Sequence, residues 1–273
     1  MKAYLFRPED MGKKSCEGIA KYSKTGIFVV QSQHDRHPEE PHLCIRYGCR
    51  SRVPQGRNVL NKLGNMDSTM NKGGFRKKLQ EHGLCPPSWG SNWGAAPEFP
   101  CVVRPGFHAK SQHFYLCHSL EDIAGAARYC GDDFYCSKFI DKKAEYRINV
   151  LQGRVLCVIE KSAKDQTDIT FSRGATEILY WSEWPIAGVS KAIKAVAVSG
   201  LDFAGVDVIE GKDGECYVLE LNTCPYLEGS YQQQCFARGF DWVVEKGRDH
   251  FSVQHTESWK NYIHPCMSEL ARV

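Results

Sequence analysis

Between residues 204 and 229 the chain reads AGVDVIEGKDGECYVLELNTCPYLEG, and Asp207, Glu220 and Asn222 are the side chains in it best suited to chemistry. Two strand-like runs flank Asp213-Gly214, a dipeptide that favours a two-residue hairpin turn with both central residues at positive φ. Pairing Lys212 with Glu215 across that turn sets Asp207 opposite Glu220, and Asn222, two residues on, shares their face. At ~5 Å and an effective dielectric of ~20 two carboxylates repel by about 3 kcal/mol, so neutral strand pairing does not select them. A divalent cation reverses the sign. Oxygen donors without His or Cys at the point of convergence suit Mg²⁺ or Mn²⁺ over Zn²⁺, and so few protein ligands leave positions for phosphate oxygens. The competing reading is two solvated acids on an exposed sheet face.

Charge is distributed to match. Residues 200–230 hold seven acids against Lys212, whereas residues 41–80 hold nine basic side chains against Asp67, a net of +8 inside a chain whose total is only +3. The basic segment calls for an anionic partner and the acidic one for a cation. At 273 residues and 42% apolar the chain is long enough to build a real core, which excludes a disordered protein. Thirteen cysteines cannot all pair, and the first residues carry no apolar signal segment, so the expectation is reduced thiols in a cytoplasmic protein. No apolar run approaches the ~18 residues of a membrane span.

These residues need elements to hold them. Short strands are expected at 2–6, 26–31 and 43–46, and a helix at 67–82, capped by Asp67, Ser68 or Thr69 and stopped by Gly83 and Pro86-Pro87. Residues 85–98, CPPSWGSNWGAAPE, read as a linker or loop. Strands follow at 99–104, 114–117 and 135–140, with a helix at 119–129 capped by Ser119. Residues 145–151 and 155–161 form a hairpin around Gln152-Gly153, and 186–199 a long helix. Along the first hairpin strand Glu145 and Arg147 share one face, leaving Tyr146, Ile148 and Val150 to the core.

GVDVI, the Asp-Gly hairpin and YVLELNTCPYLEG together resemble the metal motif of the ATP-grasp superfamily of carboxylate-amine ligases. Its members include D-alanine:D-alanine ligase, glutathione synthetase and the bacterial ligases that add glutamate to peptide tails. FPCVVRP is similar to the family's first nucleotide-binding strand, SKFIDK to its adenine hinge, EYRINVLQGRVLCVIEK to the next hairpin, and MNKGGFRKKLQEHGLCPP to a helix opening with a phosphate-reaching Lys. The order agrees from about residue 65 to 230.

The resemblance implies a mixed α+β fold in which two subdomains clamp ATP, behind a small α/β N-terminal unit. The units expected are 1–88 on the substrate side, 89–141 as the small nucleotide-binding subdomain and 142–273 with the metal site. It implies that Lys72 and Arg104 meet phosphates, that Ser137, Lys138, Phe139 and Ile140 meet adenine through their backbone, and that Glu145 meets ribose. Arg147 and Lys161 would face the transferring phosphoryl and the acyl group, with Arg173 in a phosphate-contacting loop. Asp207, Glu220 and Asn222 would hold Mg²⁺ or Mn²⁺. The implied reaction activates a carboxylate with ATP as an acylphosphate and joins it to an amine, on small-molecule or peptide substrates.

Some positions depart from the family pattern. Arg104 stands where most members have Lys, Lys138 at an often acidic hinge position, and the loop 106–112 has a single Gly, leaving His108 or Lys110 to supply charge. Two other readings stay in view: a non-catalytic nucleotide-binding relative, and, with less support, a basic nucleic-acid binder. A homo-oligomer is left open. His34, His37, His42, Cys44 and Cys49 crowd together without the spacing of a zinc half-site, and the scattered cysteines suit core positions. Trp89, Trp93, Trp181 and Trp184 read as cleft lining or as local clamps. The tail 240–273 has no assigned role.

Overall fold

The computed structural model describes residues 2–31, 41–50, 58–90, 98–107, 113–164, 174–248 and 259–267. In chain order its elements are β1 (Ala3–Arg7), α1 (Lys13–Tyr22), β2 (Ile27–Gln31), β3 (Leu43–Arg46), β4 (Val59–Leu60), α2 (Leu63–Met70), α3 (Lys72–Glu81), β5 (Ser88–Gly90), β6 (Cys101–Pro105) and β7 (Tyr115–Cys117). There follow α4 (Leu120–Cys130), β8 (Phe134–Lys138), β9 (Lys142–Leu151), β10 (Arg154–Lys161), β11 (Thr176–Ile178), α5 (Ile186–Ser199), β12 (Phe203–Gly211), β13 (Cys216–Asn222) and α6 (Ser230–Lys246). They build a parallel sheet ordered β2-β1-β3-β4, a small antiparallel sheet β5-β8-β6-β7 and a five-stranded antiparallel sheet β11-β10-β9-β12-β13.

Local chemistry accounts for most of these elements. Ser119 and Asp122 close a reciprocal capping box at the start of α4. Gln152 and Gly153, both at positive φ, make the tight turn between β9 and β10. α5 spans the residues its apolar periodicity predicts and ends on left-handed Gly200. Two expectations are corrected. The helix read at 67–82 is two helices, because Asn71 leaves helical geometry and caps α3 by accepting from the Gly74 amide at 2.8 Å. Within the stretch read as a linker, Ser88–Gly90 is a strand paired with β8, and Trp89 is buried.

Packing does not follow the sheets one to one. β1, α1 and β3 pack with α6 and with Leu151, Leu156 and Phe203 of the large sheet in one core, tied further by Asp241 of α6, which accepts from Ser23 Oγ and Thr25 Oγ1 at 2.6 Å each. A second core lies between the other face of the large sheet and α5, and Phe75, Leu79 and Leu84 of α3 and its exit join it. The small sheet has a core of its own with α4, built around Trp89, Cys101, Val103, Cys117, Ala126 and Cys136. All thirteen cysteines are free thiols and most are buried. Among the described residues no helix is long and apolar enough to cross a membrane.

Candidate active site

A cleft of about 600 Å³ runs between the small and large sheets. Arg104, Tyr135, Ser137 and Lys138 face it from the small sheet; Glu145, Arg147, Lys161, Asp207, Glu220 and Asn222 face it from the large one. Tyr146, Ile148 and Val150 alternate into the core, as the strand period requires, so that Glu145 and Arg147 share the cleft face.

Asp207 and Glu220 lie directly opposite one another. The turn that sets this pairing differs from the expected one: Lys212, Asp213 and Gly214 form a three-residue turn, only Gly214 has positive φ, and the Gly211 amide bonds the Glu215 carbonyl at 2.8 Å. From that turn Ile209 pairs with Tyr217 and Val208 with Val218. The ladder then shifts by one residue at Leu219, a bulge that restores the pairing of Asp207 with Glu220.

The side chains form one connected charge network. Arg147 grips Asp207 with two bonds, Nε to Oδ1 and Nη2 to Oδ2, the latter at 2.9 Å, and Lys161 Nζ donates to Asp207 at 3.2 Å and to Glu145 at 2.8 Å. Lys142 donates to the other oxygen of Glu145 at 2.7 Å, and Lys72 forms an ion pair with Glu220. Asn222 Nδ2 donates to both Asp207 and Glu220 at 3.2 Å. Burial alone would raise the Asp207 carboxyl, but the Arg147 guanidinium and Lys161 ammonium outweigh it and hold the group well below the usual carboxylate range. The same pairing raises Arg147 and Lys161 against their own desolvation. Burial lowers Arg104, opposed by Tyr135 and Glu220.

Of the expected site residues, the structure thus brings together Arg104, Ser137, Lys138, Phe139, Ile140, Glu145, Arg147, Lys161, Asp207, Glu220 and Asn222. Lys72 stands at the first turn of α3 and reaches the network through Glu220 rather than lining the cleft. Two of the hinge amides are already engaged within the small sheet. The Lys138 amide is committed to the Pro87 carbonyl at 2.8 Å and the Phe139 amide to Pro100 at 2.9 Å, while Ser137 sits inside the sheet with its hydroxyl 3.0 Å from that of Ser88. Trp89 and Trp184 are buried clamps, the latter donating to the Leu179 carbonyl at 3.3 Å. Arg173, His108, Lys110, Trp93, His34 and His37 lie outside the described residues.

Sequence reasoning missed Arg76, Lys142, Cys224, Tyr226 and Glu228, all of which line the cleft. Arg76 sits in a basic run that reads as solvated surface, Lys142 closes the hinge motif, and the last three lie inside the metal motif, past the residues singled out as ligands. Among the described residues no three His, Cys, Asp or Glu side chains cluster as metal ligands. Two carboxylates and one amide, oxygen donors beside a cleft with room for phosphates, are nonetheless a set suited to a hard cation that takes its remaining ligands from elsewhere.

The sequence and the fold both match known proteins. Residues 97–236 match the family model of the RimK-like ATP-grasp domain. The D-alanine–D-alanine ligase of Anaeromyxobacter dehalogenans (strain 2CP-C) is 28% identical over 188 residues, 62% of this chain and 60% of that protein. This chain therefore spans less than two thirds of that curated relative. The fold is similar to the D-alanine–D-alanine ligase of Bacillus anthracis, with a TM-score of 0.64 at 16% identity over 90% of this chain and 97% of the other. It is likewise similar to the ATP-grasp ligase PsnB complexed with minimal precursor, Mg and ADP, with a TM-score of 0.63 at 16% identity over 91% and 97% of the two chains. With the match covering more than half of its length, the chain belongs to the RimK-like ATP-grasp family.

Proposed function

We propose that this protein is an ATP-dependent ligase that joins a carboxylate to an amine, with Mg²⁺ or Mn²⁺, through an acylphosphate. The observation that carries the reading is the opposed pair Asp207 and Glu220, with Asn222 beside them, set on one cleft face with Arg147 and Lys161. The family relatives are ligases, and the PsnB complex with Mg and ADP supports the cofactor assignment.

ATP would lie along the cleft with its base at the hinge. Since the Lys138 and Phe139 amides are engaged, adenine bonding falls to the Ile140 amide and the hinge carbonyls, and Glu145 takes the ribose. Arg104 would hold phosphate with its planar fork. Asp207, Glu220 and Asn222 would hold the metal, which supplies charge neutralisation on the phosphates when bound. A substrate carboxylate oxygen attacks the γ-phosphorus, the bond to the β,γ-bridging oxygen breaks, and ADP leaves. The amine then attacks the acyl carbon, phosphate departs and the nitrogen loses a proton. Arg147 and Lys161 stabilise the negative charge that develops on the phosphoryl and tetrahedral oxygens. Lys72 joins them when phosphate draws it from Glu220.

The test is ADP release from Mg·ATP against a panel of amino acids, polyamines and short acidic peptides, with Glu220→Ala alongside. Release that needs both an acid and an amine, and is lost in the variant, is the expected result. ATP binding without turnover on any pairing would point to a non-catalytic nucleotide binder. Mg²⁺-dependent turnover that survives in Glu220→Ala would remove the metal assignment.

A further inference from the structure

Arg76 lies outside the residues assigned above to substrate or metal, yet it is 94% buried, with 6% of its surface exposed. Its guanidinium donates to two consecutive carbonyls of β13, Nη1 to Val218 at 3.2 Å and Nη2 to Leu219 at 2.7 Å, and stacks 5.5 Å from the Tyr135 ring centroid. Leu219 is the bulged residue. Among the described residues β13 is the edge strand of the large sheet, and no described strand meets the groups on its outer side. The exit of α3 meets one, since the Val218 amide bonds the Leu84 carbonyl at 2.8 Å; Arg76 meets the two carbonyls.

The bulge has a specific effect on the site. On the turn side of it β13 alternates with Val218 in the core and Tyr217 outward; beyond it Leu221 is in the core and Glu220 and Asn222 are outward. Strict alternation from Val218 would place Leu219 opposite Asp207 and turn Glu220 toward the core. The Asp207–Glu220 pair therefore exists because one extra residue is accommodated at Leu219. α3 addresses both parts of this arrangement from one face, Arg76 on the bulged carbonyls and Lys72, four residues earlier, on the Glu220 carboxylate.

We infer that Arg76 is the positioning residue of the metal site: by holding the Val218 and Leu219 carbonyls it fixes the bulge that presents Glu220 opposite Asp207. The inference rests on the proposed function for its ligand. A single ammonium cannot reproduce the two-pronged bond, so lysine is not an equivalent residue here.

The experiment measures Mn²⁺ binding by loss of the free-ion electron paramagnetic resonance signal, with and without the non-hydrolysable analogue AMP-PNP, in wild type, Arg76→Met and Arg76→Lys. Metal-free binding of the analogue is followed by tryptophan fluorescence, and folding by circular dichroism. Outer-shell partners of metal ligands are commonly worth 10–100-fold in metal affinity, so Arg76→Met is expected to weaken Mn²⁺ binding in the presence of analogue by about tenfold or more. Arg76→Lys is expected to fall between it and wild type, and metal-free analogue affinity to change less than about twofold. A folded variant that takes up Mn²⁺ as wild type does overturns the inference alone. So does an equal loss of metal and metal-free nucleotide binding. If neither variant folds, Arg76 is a folding residue rather than a positioning one, and the inference fails. Failure of wild type to bind Mn²⁺ with the analogue overturns this inference and the proposed function together.

Discussion

Replacing Lys161 by Met separates catalysis from stability in a way the charge network makes quantitative. The ammonium lies 2.8 Å from Glu145 and 3.2 Å from Asp207, and its side chain is 19% exposed. At an effective dielectric of ~20 these contacts amount to a gross attraction of about 6 and 5 kcal/mol. Desolvation of the ammonium and repulsion from Arg147 and Lys142 consume most of that. More decisive is what the substitution leaves behind. Glu145 keeps Lys142 at 2.7 Å and Asp207 keeps both bonds from Arg147, so no buried carboxylate is stranded. The expected loss is then about 1–2 kcal/mol, well under the 3–5 kcal/mol typical of an orphaned buried charge. For a chain of this size that lowers Tm by about 2–8 °C. Catalysis should respond far more. Removing one charge-stabilising group from a transition state costs about 100–1000-fold in kcat. Thermal melts by circular dichroism and initial rates of ADP release on the same preparations measure both quantities. A kcat within about threefold of wild type, or a Tm loss too large for paired carboxylates, would refute the reasoning.

Two further substitutions probe the surroundings. A Cβ on Gly205 would stand 2.8 Å from Pro225 Cβ and 3.1 Å from Arg147 Cδ, so Gly205→Ala is expected to cost about 1–3 kcal/mol and to lower kcat by at least about tenfold by displacing Arg147; unchanged kcat in the folded variant would show that the displacement does not reach the guanidinium. Burial, helped by Arg154, pushes the His264 imidazole down to about 4. Between that value and the ~6.5 of the unfolded chain only the unfolded state takes up the proton, so stability rises with pH across this window and is lost on acidification, by up to about 3 kcal/mol at pH 4. Urea midpoints at pH 7 and pH 5 should converge in His264→Asn relative to wild type; an unaltered pH dependence would refute the assignment.

Asp207 and Glu220 were legible in the sequence because a turn signal and alternating apolar residues fix which side chains face each other. The reason was only partly right. The two-residue turn first assumed and the real three-residue turn differ by one register step, and the bulge at Leu219 supplies the compensating step. Adjacent apolar Val218 and Leu219, which break strict alternation, were the sign of it. Arg147 and Glu145 were readable from strand period. Arg76 was not, because a basic residue in a basic helix looks solvated until its partner carbonyls are known, and those come from a strand 142 residues away in the chain. The engagement of the hinge amides was hidden for a related reason. Backbone donors carry no label in sequence, and only the folded chain shows that Lys138 and Phe139 have spent theirs. The break at Asn71 was missed because helix propensity on both sides of it is similar, while its side chain favours the cap.

The separate core of the small sheet has a mechanical consequence. Displacing the parallel sheet would tear β1 and α1 from α6, Leu156 and Phe203, and displacing α3 would uncover Phe75 and Leu79, so both belong to a stiff frame with the large sheet. The small sheet keeps Trp89, Cys101, Val103 and Cys136 together wherever it goes. It is joined to α3 by the Lys72 amide on the Gly106 carbonyl at 2.8 Å and by the Ser88 amide on Gln80 at 2.6 Å, so a rotation of the small sheet would turn about these bonds rather than disrupt a shared core. Arg104 and the hinge would travel with the small sheet in such a rotation, whereas Arg147, Lys161, Asp207 and Glu220 would stay with the large one, their mutual distances insulated from it.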